Sequence, residues 1–176
     1  MPQGTIDVNA LIVGDWSEIL FTFSGSNYYL GNCPEGELSV GREYYKHQGT
    51  QLPRRTDAVF LISTSMTFSG MLEEVHERNA RFALGKDPTD NESYVYIGGA
   101  ETPQYGSLVG RRYRPGDGAL VEFKIYKGLV VSEFKMGSTN EAVKVPLEVD
   151  ALDDQSGDYG GSAEGPLGYL YIPNET

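Results

Sequence analysis

The chain has a single cysteine, Cys33, and that scarcity excludes an internal disulfide framework. It fits assembly in a reducing compartment, with Cys33 expected as a small, partly buried thiol without chemistry. Histidine is almost as rare, present only as His47 and His76. A lone histidine on a helix, with no second one a turn later, is not a zinc motif. The serine-rich stretch STSMTFSG lacks the G-x-S-x-G elbow, and no later histidine completes a hydrolase order. The run DDQSGDYGG, with Asp153, Asp154 and Asp158, lacks the ordered spacing and closing glutamate of a calcium loop. The pairs Gly98-Gly99 and Gly160-Gly161 match no phosphate loop. These absences point away from an enzyme and imply neither cofactor nor metal. Long apolar runs are missing too: none approaches the ~18 residues of a membrane span. The opening MPQGTIDVNALIV has no basic n-region and alternates polar with apolar, which is not a signal-peptide pattern. A soluble protein made in a cytosol, with no membrane partner, is the expectation.

What is present suits many short strands. The 176 residues fit one domain over 1–176, long enough to build a core without disulfides or metal. A hydrophobic share of 39% is modest, while 12 Tyr and 22 Gly favour tight turns and wide contact surfaces. The net charge of −11 argues against a general nucleic-acid binder, which must neutralise phosphates. The charge is uneven. Residues 35–55 hold Arg42, Lys46, Arg54 and Arg55 against three glutamates, for +1. Residues 111–132 come to +3, and 133–176 hold nine acids against Lys135 and Lys144, for −7. Opposed regions of this kind can draw copies of one chain together end to end.

Alternation and turn residues predict strands near 5–13, 17–23, 27–31, 37–46, 57–68, 93–98, 105–113, 118–126, 129–136, 142–149 and 167–172. In the long strand, Ala58, Phe60, Ile62, Thr64, Met66 and Phe68 share one face, and Val59, Leu61, Ser63, Ser65 and Thr67 the other. Tyr126-Lys127-Gly128-Leu129 reads as a hairpin turn between two of these strands. From Gly70 the period becomes helical, predicting one helix over 70–84. Ser69 is its N-cap, Gly85 its stop, and Glu74–Arg78 and Glu77–Arg81 are i,i+4 pairs. Leu72, Val75 and Phe82 are then expected to be buried against the sheet, with the Asn79 amide bonded to nearby backbone. The stretches 31–36, 86–92 and the acidic, glycine-rich 150–166 read as loops. An all-β sandwich or partial barrel flanked by one helix is the economical architecture. Gly14-Asp15-Trp16 matches the G-x-W of lipocalins. Their principal helix follows the barrel strands, whereas here strands continue long after it, so Trp16 is expected as a core or interface aromatic.

The segment from Glu37 to Gly85 resembles the tail tube proteins (major tail proteins) of long-tailed bacteriophages. The resemblance rests on the strand ELSVGREYY, Gly49 and Pro53 in a loop, and the long strand DAVFLISTSMTF. The helix MLEEVHERNARFALG follows, with Glu74, Asn79, Leu84 and Gly85 placed as in many of that family. It covers a quarter to a third of the chain; the region after Asp150 has no assigned counterpart. It implies a flanked β-sandwich or partial barrel whose copies form homohexameric rings that stack into a hollow tube. The inner strands of six subunits would join into one barrel. The tube would conduct the genome to the host without binding it specifically. Partners would be the chain itself, the tape-measure protein and the tail tip and terminator proteins. The location would be the virion tail, assembled in the host cytoplasm. Because similar tube proteins grip the adjacent ring with an extended loop here, Arg42, Lys46, Arg54 and Arg55 are expected to meet Asp150, Asp153, Asp154 or Asp158 of the next subunit. The competing expectation is a monomeric β-sandwich binding carbohydrate on a platform of Tyr28, Tyr29, Tyr44, Tyr45, Tyr94 and Tyr96.

Overall fold

A computed structural model describes residues 16–48, 56–87, 94–95, 97, 104–115, 117–132, 144–162 and 165–173. The expected strand at 5–13, most of that at 93–98, and Arg54, Arg55 and Tyr96 lie outside the described residues. In chain order the elements are β1 (Trp16–Phe23), β2 (Ser26–Cys33), β3 (Glu37–Gln48), β4 (Thr56–Leu72), α1 (Glu77–Ala83), β5 (Tyr105–Tyr113), β6 (Leu120–Val130), β7 (Val145–Leu152) and β8 (Gly168–Tyr171). The protein is all-β with one short helix. Its strands form one antiparallel sheet in the order β2-β1-β5-β6-β7-β4-β3, with β8 added beside β6.

The sheet curls on itself. Trp16 of β1 and Phe68 of β4 stand far apart in strand order, yet their rings meet edge to face at 6.2 Å. Phe123 of β6 completes the cluster, 4.7 Å from Trp16 and stacked 4.8 Å from Phe68. Edge-to-face and offset contacts at such spacings suit the aromatic quadrupole. The curl brings edge strand β2 to the chain leaving β4, where the Glu73 N–H donates to the Asn32 carbonyl at 3.2 Å. The buried Asn79 amide donates to the carbonyls of Leu30 and Glu74, both at 2.8 Å, as its place in the apolar stripe required. The edge of β2 is thereby covered by the chain around α1, an arrangement that protects an exposed ladder. Phe82 of α1 lies fully inside, 4.4 Å from Phe21. The result is the partial-barrel form of the expected fold.

The helix is shorter than its periodicity suggests. β4 continues through Gly70 to Leu72, which pair with Leu147 and Val145 of β7. Gly70 is small for packing reasons: a Cβ there would lie 2.4 Å from the Cys33 sulfur. Leu72 is therefore buried as a strand residue, and Ser69 pairs within the sheet rather than capping a helix. His76 is the N-cap, its Nδ1 accepting from the Asn79 N–H at 3.4 Å. Val75, expected to be buried, is 47% exposed because it precedes the helix, whose N-cap is His76. Glu74 lies before the helix rather than within it, and buried Arg81 donates to the Tyr94 carbonyl at 2.7 Å. Gly85 does end it, at φ +68, with its N–H bonded to the Phe82 carbonyl.

The hairpin expected at 126–129 is also replaced. β6 runs unbroken through Gly128, which pairs with Gly106 and Ala151. A Cβ at Gly128 would meet Val149 Cγ1 at 2.6 Å, so this glycine permits close packing rather than a turn. Cys33 is wholly buried and Trp16 is a core aromatic.

Candidate functional site

β3 and β4 pair along their length, but only their bases belong to the barrel. β7 flanks β4 from Thr67 to Leu72; over 56–66 the far edge of β4 has no neighbour among the described residues. The outer edge of β3 is unpaired in the same sense. The two strands thus leave the barrel as a ribbon exposed on both faces from Gly41 to His47 and from Val59 to Ser65.

A bulge divides this ribbon. Glu43 pairs with Ser63, whereas the next residue, Tyr44, pairs with Leu61. One extra residue, Ile62, shifts the parity of β4, because side chains alternate with a period of two. The single-face set expected from alternation is therefore broken. Leu61 and Val59 share the face of Tyr44 and Arg42, while Phe60 and Ala58 join Tyr45 and His47 opposite. Beyond the bulge both faces carry exposed apolar side chains, with Lys46 on the face of Tyr44 and His47 on that of Tyr45. Phe60 is 57% exposed, and Tyr44, Tyr45, Val59, Leu61 and Ile62 are exposed to a similar degree. Before the bulge the two faces differ. One carries Leu38, Met66 and Phe68 toward the core and the exposed Val40, and the other carries Ser39, Ser63, Ser65 and Thr67.

Beside the ribbon, β8 pairs with β6 alone among the described residues, leaving a second open edge, with Tyr169, Leu170, Tyr171 and Ile172 all exposed. A groove of about 740 Å³ separates the two, lined by Val40, Ile62, Met66 and Leu170. A polar lock holds β8 in place. Glu122 accepts from Arg111 Nε at 2.6 Å and from the Tyr169 hydroxyl at 2.5 Å. The Glu122 hydrogen bond, followed by burial, pushes the Tyr169 hydroxyl up to about 12.

The charged residues expected to grip a neighbour are only partly free to do so. Arg42 and Lys46 are exposed on the ribbon. Arg42 lines the same groove as Asp153, so the two meet its walls within one subunit. Asp153 and Asp158 are exposed, Asp153 accepting from the Gln155 N–H and Asp158 from the Ser156 hydroxyl. Asp150 accepts from Thr67 Oγ1 at 2.7 Å. Asp154 is not a surface group: it is 2% exposed and accepts from the backbone N–H groups of Tyr159 and Gly161. Burial pushes its carboxyl up, but hydrogen bonds from Gly161, Tyr159 and Ser156 outweigh that and hold it below the usual value. The loop expected at 150–166 starts later, because β7 runs to Leu152; Asp154 staples the turn from 154 to 161 shut, and the sequence carried no periodic signal for this.

The tyrosines expected to form a carbohydrate platform are dispersed. Tyr28 lies under the Arg78 guanidinium, Tyr29 is on β2, and Tyr44 and Tyr45 occupy opposite faces of the ribbon. Tyr94 is exposed near the helix, where its carbonyl meets Arg81. No family model matches the chain, and neither does any curated protein.

Proposed function

We propose that this chain is a structural subunit, the tail tube protein of a long-tailed bacteriophage. Six copies form a ring, and rings stack into a hollow tube that conducts the genome past the tape-measure protein during assembly and infection. The observation that carries the reading is the ribbon: two strands whose outer edges are open among the described residues, with exposed apolar side chains on both faces beyond the bulge. An isolated two-stranded ribbon is marginal in water, and open apolar edges invite pairing with another chain. A neighbour with the same ribbon and the same open β8 edge supplies that cover at every contact. A heterologous contact closing after six copies gives a ring, and the axial one gives a filament. The chain has no catalytic role in this reading and uses no cofactor.

Axial contacts between rings join Arg42, Lys46, Arg54 and Arg55 to Asp150, Asp153 and Asp158, with Asp154 acting only as the internal staple of that acidic segment. Exposed pairs are worth roughly 0–1 kcal/mol each, so their effect depends on repetition around the ring.

Negative-stain microscopy of the purified protein, mixed with the phage's tail initiator, tests the reading. Rings and hollow tubes are expected. The double substitution Tyr45→Glu with Phe60→Glu should leave a folded monomer that no longer assembles. A particle that stays monomeric at high concentration with initiator present overturns the proposal, since tube subunits can wait for nucleation without it.

A further inference from the structure

Where β5 begins, the outer face of the sheet holds a cavity of about 800 Å³ that tube assembly does not use. Strand parity builds its floor. Leu108 is in the core, and a Cβ at Gly106 would meet the Phe21 ring at 2.4 Å, so both positions point inward. Tyr105 and Ser107 therefore point outward, and Ser107 pairs with Thr22 of β1 on the same face. The tight turn at Ser24 and Gly25 and the Tyr159 side of the loop after β7 rise around this floor. Ser107 is consequently only 7% exposed although it lies outside the core. It lines the cavity, and its hydroxyl makes no hydrogen bond among the described residues. Tyr105 and Tyr159 also line the cavity, and one cation holds both rings. Gly106 pairs with Gly128 and Leu108 with Ile125, so Tyr126 and Lys127 form a bulge opposite Ser107. From that bulge the Lys127 ammonium stands 5.3 Å from the Tyr105 centroid and 5.9 Å from that of Tyr159.

We propose that this cavity binds a neutral saccharide, with the C–H face of a sugar ring against Tyr105 and Tyr159 and its hydroxyls on Ser107, Thr22 and Lys124. Ligand sites of this size combine apolar walls with a few convergent polar groups. Here those groups differ in what they offer. Thr22 Oγ1 gives its proton to Asn27 Oδ1 at 2.6 Å, so toward the cavity it only accepts. The Lys124 ammonium only donates, and the Ser107 hydroxyl does either. A polyol, whose hydroxyls both donate and accept, meets all three while replacing the water that solvates them in the free protein. An apolar ligand would leave them unpaired. An anion is disfavoured because Lys124 is offset by Glu122, two residues earlier on the same face, and by Asp158 across the cavity. Asp158 is exposed at the rim and bonded to Ser156, so it takes no part in the sugar contact and is left for the axial pairing proposed above. None of the five described tyrosines of the platform expected from sequence lines this cavity.

The test is an NMR titration of the isotope-labelled subunit without initiator, using maltotriose, cellotriose, lactose and adenosine as separate probes. At least one of the three sugars should shift the amide signals of Gly25, Ser107 and Tyr159 in a saturable manner, and adenosine should not. Tyr159→Ala should weaken that binding by about tenfold or more, while Tyr159→Phe, which keeps the ring, should retain it. Ser107→Ala should weaken it several-fold. Where Tyr159→Ala does not fold, Ser107→Ala and Thr22→Val make the same comparison. The proposal is overturned if no sugar gives a saturable shift up to its solubility limit, or if the shifts fall on other surfaces. Variants that bind as tightly as wild type also overturn it. A response to adenosine alone makes the cavity a base-stacking pocket and rejects the saccharide. Because the subunit is tested unassembled, the result stands whether or not the chain forms tubes.

Discussion

One strand, β4, passes through two environments. From Met66 to Leu72 it lies in the barrel, paired with β3 as far as Ser69 and with β7 from Thr67 onward, with Phe68 and Leu72 fully buried. From Val59 to Ser65 it has one neighbour among the described residues, and every side chain is exposed. Apolar content does not separate the halves, since Phe60, Leu61 and Ile62 are as hydrophobic as Phe68 and Leu72. What separates them is the number of neighbouring strands. Burial in the barrel is completed within the chain, whereas the apolar surface of the ribbon remains available to another molecule. Monomer stability and assembly should therefore respond to different residues of the same strand pair.

The strongest test sets Phe123 against Phe60. Phe123 touches both Trp16 and Phe68, so Phe123→Ala should destabilise the monomer by about 3–5 kcal/mol. Phe60→Ala removes a ring of equal size from the ribbon and should change the unfolding free energy by no more than ~0.5 kcal/mol, while impairing tube formation. Equal losses of stability in the two variants would show that the ribbon is packed in the monomer.

Glycines sharpen the contrast next. A Cβ at Gly70 would meet the Cys33 sulfur at 2.4 Å and the Gly36 backbone at 2.9 Å. Gly70→Ala should destabilise by roughly 1–3 kcal/mol, because a packed core must shift to admit it. In a helix the same change would stabilise by about 1 kcal/mol, so its sign decides between strand and helix at this position. Gly41 on the ribbon faces only the Ser65 hydroxyl, which can rotate away. Gly41→Ala should be near neutral in urea denaturation.

The loop after β7 adds a pH dependence. The Asp154 carboxyl is held below its usual value in the folded protein, so its contribution is present above the ordinary carboxylate range. It is lost as pH falls through the lowered folded value. Wild-type stability should exceed that of Asp154→Asn by roughly 1–3 kcal/mol at neutral pH, with the gap narrowing as acid is added. A gap independent of pH would mean that the carboxylate charge has no part in closing the loop.

The all-β class, the lone helix, its C-terminal Gly85 and the buried Asn79 amide were legible because each has a local signature. Alternation marks strands, a positive-φ glycine ends a helix, and a polar residue on an apolar stripe needs partners. What escaped the sequence was set by neighbours distant in the chain. Gly70 and Gly128 read as punctuation, yet each is small because Cys33 or Val149 packs against it. The Ile62 bulge reversed the faces of Phe60 and Leu61, and one extra residue leaves no mark in an alternating string. Asp154 looked like any exposed acid in a glycine-rich loop, since the N–H groups it accepts from come from that loop's own folding. The ribbon's residues were visible as a long strand, but their exposure was not, because period-two patterning does not reveal how many neighbours a strand has.

The smallest expected effect lies at Val75, where the chain has left β4 but not yet entered α1. A helix over 70–84 would bury this side chain on its apolar stripe, and truncation to Ala would cost more than 1 kcal/mol by the lost methyl groups and the cavity left behind. In the segment before the N-cap His76, Val75 is 47% exposed. Val75→Ala there removes mostly solvated surface and should change stability by less than about 0.5 kcal/mol. Leu72→Ala, three residues earlier and fully buried at the end of β4 where it pairs with β7, provides the matched contrast at about 2–5 kcal/mol. Chemical denaturation of both variants measures the step directly. A Val75→Ala loss approaching that of Leu72→Ala would move the start of the helix back into β4, and with it the point where the barrel ends.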